Sequence, residues 1–238
     1  MSGISRIQKS REDYRKGPDQ PERVASRELW LKDGDQVFLT SVATGDENDT
    51  FLDELYLYTF RIGNRWTNVL RDERVDTSAV PEDTRPSHKF AFWSYVYNVI
   101  HAEKKNPDWE EVEGPSGKKV FRETVNDFKI ISLGFGRGDY IWNQLVDVYS
   151  DWGALNKGVM RIKRTGSGAY DTSYAIGATP KKDEIPEDRT SDIKELSSIR
   201  EYFFERYGGA ENVSVEGMLN RQVNEKASST EEEDVDLF

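Results

Sequence analysis

The chain has 238 residues, a formal net charge of −11, 36% hydrophobic residues and no cysteine. This length accommodates one large domain or a domain with appendages, and the lack of cysteine excludes disulfides and zinc–thiolate sites. The first 27 residues are polar, and no apolar run approaches the length that spans a bilayer. We therefore expect a soluble cytoplasmic protein that contacts no membrane.

Charge is unevenly distributed along the chain. Met1–Arg27 carries seven basic residues against four acidic ones, whereas the stretch from Lys181 onward has eight basic and sixteen acidic residues. The layout is a basic arm at residues 1–27, a near-neutral body and an acidic end. It suits a nucleic-acid binder with a built-in competitor, or a chain that associates with itself through the arm.

The first half of the body has strand patterns separated by polar loops. Glu28–Val42 has the pattern of a hairpin about the turn Lys32–Asp35, and Arg71–Ser87 has that of a long loop. Glu54–Arg61 alternates, which predicts a strand. One face of this strand is aromatic and consists of Tyr56, Tyr58 and Phe60.

Lys89–His101 has the clearest strand pattern in the chain. Strict alternation predicts that one face carries Phe92, Val96 and Ile100. The other face would carry Trp93, Tyr95, Tyr97 and Val99.

Later segments include helical patterns. A turn-rich insertion at Lys104–Lys119 and a short apolar strand at Phe128–Leu133 precede Asp139–Trp152, whose apolar residues have helical spacing. Ser191–Tyr207 has the pattern of an amphipathic helix. Short strands, one helix between late strands and a terminal helix within residues 181–209 predict a mainly β protein, a small barrel elaborated by long loops.

Enzymatic motifs are weak in this chain. There is no phosphate-binding loop, and neither His88 nor His101 has a second histidine at metal-ligand spacing. Acidic pairs such as Asp53 and Glu54 would chelate magnesium in a metal-dependent nuclease, but such pairs are expected in so acidic a sequence. We predict a protein that is not an enzyme and needs no cofactor, with the nuclease as a minor alternative.

A second hairpin is more informative. Val159–Arg164 and Ala169–Gly177 flank a glycine-rich turn, and alternation places Arg161 and Lys163 on one face of the first strand. On the return strand Tyr170, Thr172 and Tyr174 share a face. Cations that follow phosphates beside rings that stack on bases are typical of single-strand binding. The alternative is a surface hairpin with ordinary solvated charges.

The run R-I-K-R-T-G-S-G-A-Y-D-T-S-Y at Arg161–Tyr174 resembles a segment of the single-stranded DNA-binding proteins of tailed bacteriophages, the T-even type and its relatives. Trp30–Asp35 is similar to the hairpin that opens their core, Phe92–Ile100 is similar to their central strand, and an acidic end is a family trait. Many relatives carry a His/Cys zinc knot. With no cysteine here, we carry over no zinc, and Gly45–Arg85 must be held in another way.

The resemblance implies an OB-fold, a five-stranded Greek-key barrel, at residues 28–180. It would bind single-stranded DNA without sequence preference during DNA replication, recombination and repair. The basic arm would make cooperative contacts. The resemblance places five residues in or beside the DNA groove: Arg161, Lys163, Arg164, Tyr170 and Tyr174.

Further contacts are predicted from residue type alone. The aromatic sets on Glu54–Arg61 and Lys89–His101 would form a stacking platform, although one face of each strand must be core. Candidate stacking residues are Trp93, Tyr95, Tyr97, Tyr56, Tyr58 and Phe60. Candidate phosphate contacts are Arg61, Lys89, Lys129 and Arg137.

Residues 210–238 are predicted to be a flexible acidic tail. Its tip combines steering charge with an apolar terminal ring, which suits capture by a partner's pocket or occupation of a basic groove. The resemblance names the partners as phage polymerase, primase or helicase. The rival hypothesis is a protein-interaction module that uses the tail and the last helix without binding DNA. The tip residues are Glu231, Glu232, Glu233, Asp234, Asp236, Leu237 and Phe238.

Overall fold

A computed structural model of the chain describes residues 26–62, 65–114, 117–167, 171–179 and 184–208. The predictions for the arm before residue 26, for Tyr170 and for the acidic tail lie outside the described residues. The strands are β1 (Gln36–Ser41), β2 (Leu52–Ile62), β3 (Arg65–Leu70), β4 (Ser87–His101), β5 (Glu110–Glu113), β6 (Lys119–Gly134), β7 (Met160–Thr165) and β8 (Ser173–Ala178). The α-helices are α1 (Tyr140–Trp152), α2 (Glu187–Thr190) and α3 (Ile199–Tyr207).

The described strands form one antiparallel sheet, so the prediction of a mainly β protein is confirmed. The strand order is β3-β2-β4-β1-β7-β8, with β6 along the other edge of β4 and β5 beside β6. One edge of β4 pairs first with β2 at residues 87–92 and then with β1 at residues 94–100. The long strand β4 is therefore shared by two halves of the sheet.

Two hydrophobic cores lie on opposite sides of β4. Phe90 and Phe92 face a first core, which α1 covers with Ile141, Leu145 and Val148. Ala91, Trp93 and Tyr95 face a second core, which α3 covers with Ile199, Tyr202 and Phe203. The alternation of β4 is apolar on both faces because both faces are buried here.

A β-bulge changes this alternation near the end of β4. The register with β1 runs from Leu39↔Val96 to Phe38↔Asn98, so Tyr97 is an extra residue on β4. An extra residue reverses the facing of every residue beyond it. Val99 therefore joins the first core with Val96, and Ile100 faces away from it. The predicted faces of Val99 and Ile100 were wrong for this reason.

The predicted first hairpin is also wrong in part. The turn at Lys32–Asp35 is present, held by a bond from the Lys32 amide to Oδ2 of Asp35 at 2.8 Å. The segment before it does not pair with β1, however. Glu28 forms a parallel bridge with Ile130 of β6, and the Leu29 amide donates to the Ile130 carbonyl at 2.9 Å.

Both predicted helices are present, but the last one is shorter than the predicted Ser191–Tyr207. α1 ends at Trp152 and is capped by Gly153, which has a left-handed φ of 75° and donates its amide to the Tyr149 carbonyl. The last helix begins at Ile199, because Leu196 is extended and Ser198 caps the Glu201 amide. Among the described residues no helix combines the length and apolar character needed to cross a membrane.

Candidate nucleic-acid interface

The two cations predicted on β7 project away from the first core. Arg161 and Lys163 are exposed, whereas Met160 and Ile162 between them are buried, which confirms the predicted alternation. Neither cation has an ion pair among the described residues. They belong to residues 152–170, which is one of the three longest stretches of the sequence without Asp or Glu.

Strand register places these cations beside particular neighbours. Arg161 lies opposite Phe38 on β1 and Gly177 on β8, and Lys163 lies opposite Gln36 and Ala175. Directly paired residues project from the same side of a sheet. Half-buried Phe38 therefore has a cation beside it on the neighbouring strand.

The cross-strand pairs that join Arg161 to Phe38 and Lys163 to Gln36 continue across β4 and β6. Phe38 pairs with Asn98 and then Thr124, and Gln36 pairs with Ile100 and then Arg122. We call this surface the outer face and define it by Phe38, Asn98, Ile100, Arg122, Arg161 and Lys163. Arg122 lies 3.4 Å from Glu110 on β5, so one acid adjoins the face at its margin.

Small residues keep one border of the outer face open. A side chain added at Gly177 would meet no atom within 4 Å, and Ala175 is exposed. With two exposed cations on β7, a half-buried ring on β1 and open space on β8, the face has its positive charge along the β7 side, while Arg122 on β6 is paired with Glu110. Such a face suits a flexible polyanion with stackable rings.

Two predicted groove residues lie on the other side of the sheet. The hairpin register pairs Arg164 with Tyr174, on the side of Ile162 and Ile176. Tyr174 packs against the first core, and burial raises the pKa of its hydroxyl. Arg164 donates to the Leu31 carbonyl and to Oγ1 of Thr172. Arg164 and Tyr174 therefore do not share a side of the sheet with Arg161 and Lys163, and both make contacts that hold the protein together; their predicted place in or beside a DNA groove stays a prediction.

Three predicted stacking residues belong to the second core. Trp93, Tyr95 and Phe60 are 1%, 2% and 6% exposed, and the Trp93 indole N–H donates to the Ser197 carbonyl at 2.9 Å. The β4 aromatics are buried because α3 covers that side of the strand. A base cannot stack on rings that are enclosed by protein.

Tyr97, Tyr58 and Tyr56 are half-buried. The Tyr97 hydroxyl lies 3.0 Å from Oγ1 of Thr40 at the border between the outer face and the second core. Tyr58 packs against the second core. Tyr56 stacks on His88 with a centroid distance of 4.3 Å, and His88 stacks in turn on Phe135 at 4.1 Å.

The four other predicted phosphate contacts differ in availability. Burial lowers the pKa of Lys89, whose ammonium lies over the ring of Trp30. Lys129 donates to Oδ2 of Asp127 at 2.9 Å. Arg137 is exposed in the turn before α1, and Arg61 is exposed with its guanidinium over the ring of Trp66. Only the last two present cations to solvent.

A cleft of about 570 Å³ lies beside the Lys32–Asp35 turn. On its wall the His101 ring stacks on Trp109 at 3.8 Å, and its nitrogens lie 3.2 Å from Asp35 and 2.9 Å from Glu123. These bonds tie β4 to its neighbours. Across the described part of the chain, no group of three or more His, Cys, Asp or Glu side chains is placed to hold a metal ion.

Sequence reasoning missed the central residue of the outer face. Phe38 lies between Val37 and Leu39, which are both buried. In the sequence Phe38 alternates with the polar residues Gln36 and Thr40, a pattern that indicates an outward aromatic. Asn98 and Ile100 were not predictable, because their facing depends on the bulge at Tyr97.

Comparison with models of known protein families gives no match, and comparison with curated proteins gives none either. The phage resemblance of Arg161–Tyr174 therefore stays a prediction.

Proposed function

We propose that this protein binds single-stranded DNA without sequence preference, with the outer face as the floor of the site. The observation that carries the proposal is the alignment of Arg161 and Lys163 beside the half-buried ring of Phe38. Arg161 and Lys163 would neutralise phosphates, and each base stacked on a ring contributes roughly 1–3 kcal/mol. Every base has a flat face, so such a floor does not select sequence.

The family resemblance extends this proposal. In it, the sheet is an elaborated OB-fold of the tailed-phage type, supported by one long strand, β4, that serves both halves of the sheet. The protein would coat single strands during replication, recombination and repair. Its acidic tail would occupy the groove when DNA is absent and present Phe238 to polymerase, primase or helicase once DNA displaces it.

The experiment compares binding of an unstructured oligothymidine and a matched duplex by the full chain and by a Phe38→Leu variant. Leucine keeps apolar packing on β1 but removes the stacking ring. We expect single-strand selectivity, and a loss of about 5- to 150-fold for the variant, which corresponds to one stack. A chain that binds neither DNA would overturn the proposal in favour of an interaction module. Equal binding by Phe38→Leu would remove the outer face as the floor.

A further inference from the structure

The β2–β3 hairpin presents an exposed aromatic side chain at the far end of the sheet. Trp66 is 70% exposed and belongs to neither core. It pairs directly with Arg61, whose guanidinium lies 5.6 Å from the centroid of the indole ring. Two residues further along the ladder, Oγ1 of Thr59 bonds Oδ1 of Asn68 at 2.8 Å. The paired strands hold the ring and its cation in a defined geometry.

The hairpin is basic within an acidic protein. Residues 55–71 contain Arg61, Arg65 and Arg71 and no Asp or Glu, although the chain as a whole has a net charge of −11. This is another of the three longest acid-free stretches, along with residues 152–170 that carry Arg161 and Lys163. Charge complementarity therefore favours a negatively charged occupant, and the exposed flat ring of Trp66 favours one with stackable bases, a nucleic acid.

Strand pairing connects Trp66 and Arg61 to the outer face through β2, β4 and β1. Arg61 pairs with Trp66 and lies on the same face of β2 as Leu57 and Leu55. Leu55 pairs with Lys89, which lies on the same side of β4 as Trp93 and Tyr95. Tyr95 pairs with Thr40, which lies on the same face of β1 as Phe38. Along this path the order is outer face, α3-covered second core, hairpin. The path along the strands from Phe38 to Trp66 is on the order of 50 Å long, at about 3.3 Å per residue.

We propose that Trp66 and Arg61 form a second stacking contact for single-stranded nucleic acid, engaged by the same strand after it leaves the outer face. The inference rests on the proposed function of the outer face. An exposed indole held under a guanidinium suits base stacking, because the base meets a flat ring while the cation meets a phosphate. The two contacts would make affinity depend on strand length in two stages.

The test measures affinity of the full chain for oligothymidines of about 4 to about 20 nucleotides, a range that brackets the roughly 4–16 nucleotides bound by single OB folds. Trp66→Ala is compared with Trp30→Ala. Trp30 is a matched control, because it is 61% exposed with the Lys89 ammonium over its ring, but it lies outside the hairpin, in the segment before β1. We expect Trp66→Ala to bind short strands as the parent does and long strands about 5- to 150-fold more weakly, with Trp30→Ala unchanged.

Tryptophan emission gives a second readout. DNA should quench emission of the parent and of Trp30→Phe, and Trp66→Phe should lose a large part of the quench on long strands only. Unchanged length dependence in Trp66→Ala, with Phe38→Leu still weakened, would overturn the hairpin contact and leave the outer face standing. A change confined to oligomeric state in sedimentation would also overturn it, in favour of a protein partner. No binding by the parent would remove both proposals.

Discussion

The hydroxyl of Tyr207 donates a hydrogen bond of 2.7 Å to Oε1 of Glu28, joining the end of α3 to the first described segment of the chain. Glu28 is buried, and Nε of Arg206 lies 2.9 Å from the same oxygen. The backbone of Glu28 also forms a parallel β-bridge with Ile130 of β6. A buried carboxylate is tolerated only when it is paired and hydrogen-bonded, so these contacts depend on one another.

Tyr207→Phe should destabilise the protein. The substitution leaves the ring packed but removes a bond to a buried charged group, and such bonds contribute about 1.5–3 kcal/mol. Urea unfolding measures the change in the free energy of unfolding. Tyr140→Phe is the control, because Tyr140 is 57% exposed and its loss should change stability by less than about 0.5 kcal/mol. Equal effects of the two substitutions would contradict the role of the Glu28 contact.

Alkaline pH should weaken the fold through the same residue. Burial and the neighbouring carboxylate of Glu28 raise the pKa of Tyr207 to about 12, above its ordinary value of 10.0. The folded state then holds the phenol proton more tightly than the unfolded state. The contribution is fully present below pH 10 and is lost as pH rises from about 10 to about 12.

Unfolding measured between pH 9 and about pH 12 tests this expectation. Tyr95 and Tyr174 also have raised pKa values, caused mainly by burial. The free energy of unfolding of the Tyr207→Phe variant should therefore still fall as pH rises, although less than that of the parent. The difference between the parent and Tyr207→Phe isolates Tyr207. A difference that does not shrink as pH rises would contradict the assignment.

Gly177→Glu should weaken DNA binding without unfolding the protein. The new side chain enters open space opposite Arg161, so the change in stability should stay within about 0.5 kcal/mol. An acid on this face repels phosphate and competes for the guanidinium. Gly177→Lys is the matched control, with equal bulk and opposite charge. Affinities that fall equally for both variants would indicate a steric effect and contradict the charge argument.

The sequence predicted those features that depend on local patterns. The strand at Lys89–His101, the helix before Gly153 and the outward facing of Arg161 and Lys163 follow from alternation or helical spacing. Three other features depend on long-range pairing. The parallel bridge of Glu28 to Ile130, the bulge at Tyr97 and the register that turns Tyr174 inward are set by distant strands, and no local window contains that information.

Aromatic residues gave the least reliable site predictions for a related reason. Trp93 and Tyr95 have the same residue type and spacing whether a strand is solvated or covered. They are buried because α3 packs on that side of β4. Phe38, which alternates with the polar residues Gln36 and Thr40, was the more informative signal.

A chain ending at Ala227 should bind single-stranded DNA more tightly than the full chain, because the proposed tail competes for the same cations. The truncation removes Ser228–Phe238, with five acids and the terminal ring. It should also lose capture by replication proteins. The control is a full-length chain in which those acids are changed to Gln or Asn and Phe238 is kept. It separates the effect of the negative charge from the effect of the terminal ring. Unchanged DNA affinity in both chains would contradict competition by the tail.

The most direct measurement is the salt dependence of oligothymidine binding by the parent and by the double variant Arg161→Ala/Lys163→Ala. Each phosphate contact contributes about 0.7 to the slope of log affinity against log salt for single strands. The double variant should therefore bind more weakly, with a slope shallower by about 1.4. The control is Lys119→Ala, an exposed cation paired with Glu111 at 2.8 Å, which should leave the slope unchanged. A double variant with the parent's affinity and slope would contradict the outer face as the DNA-binding surface.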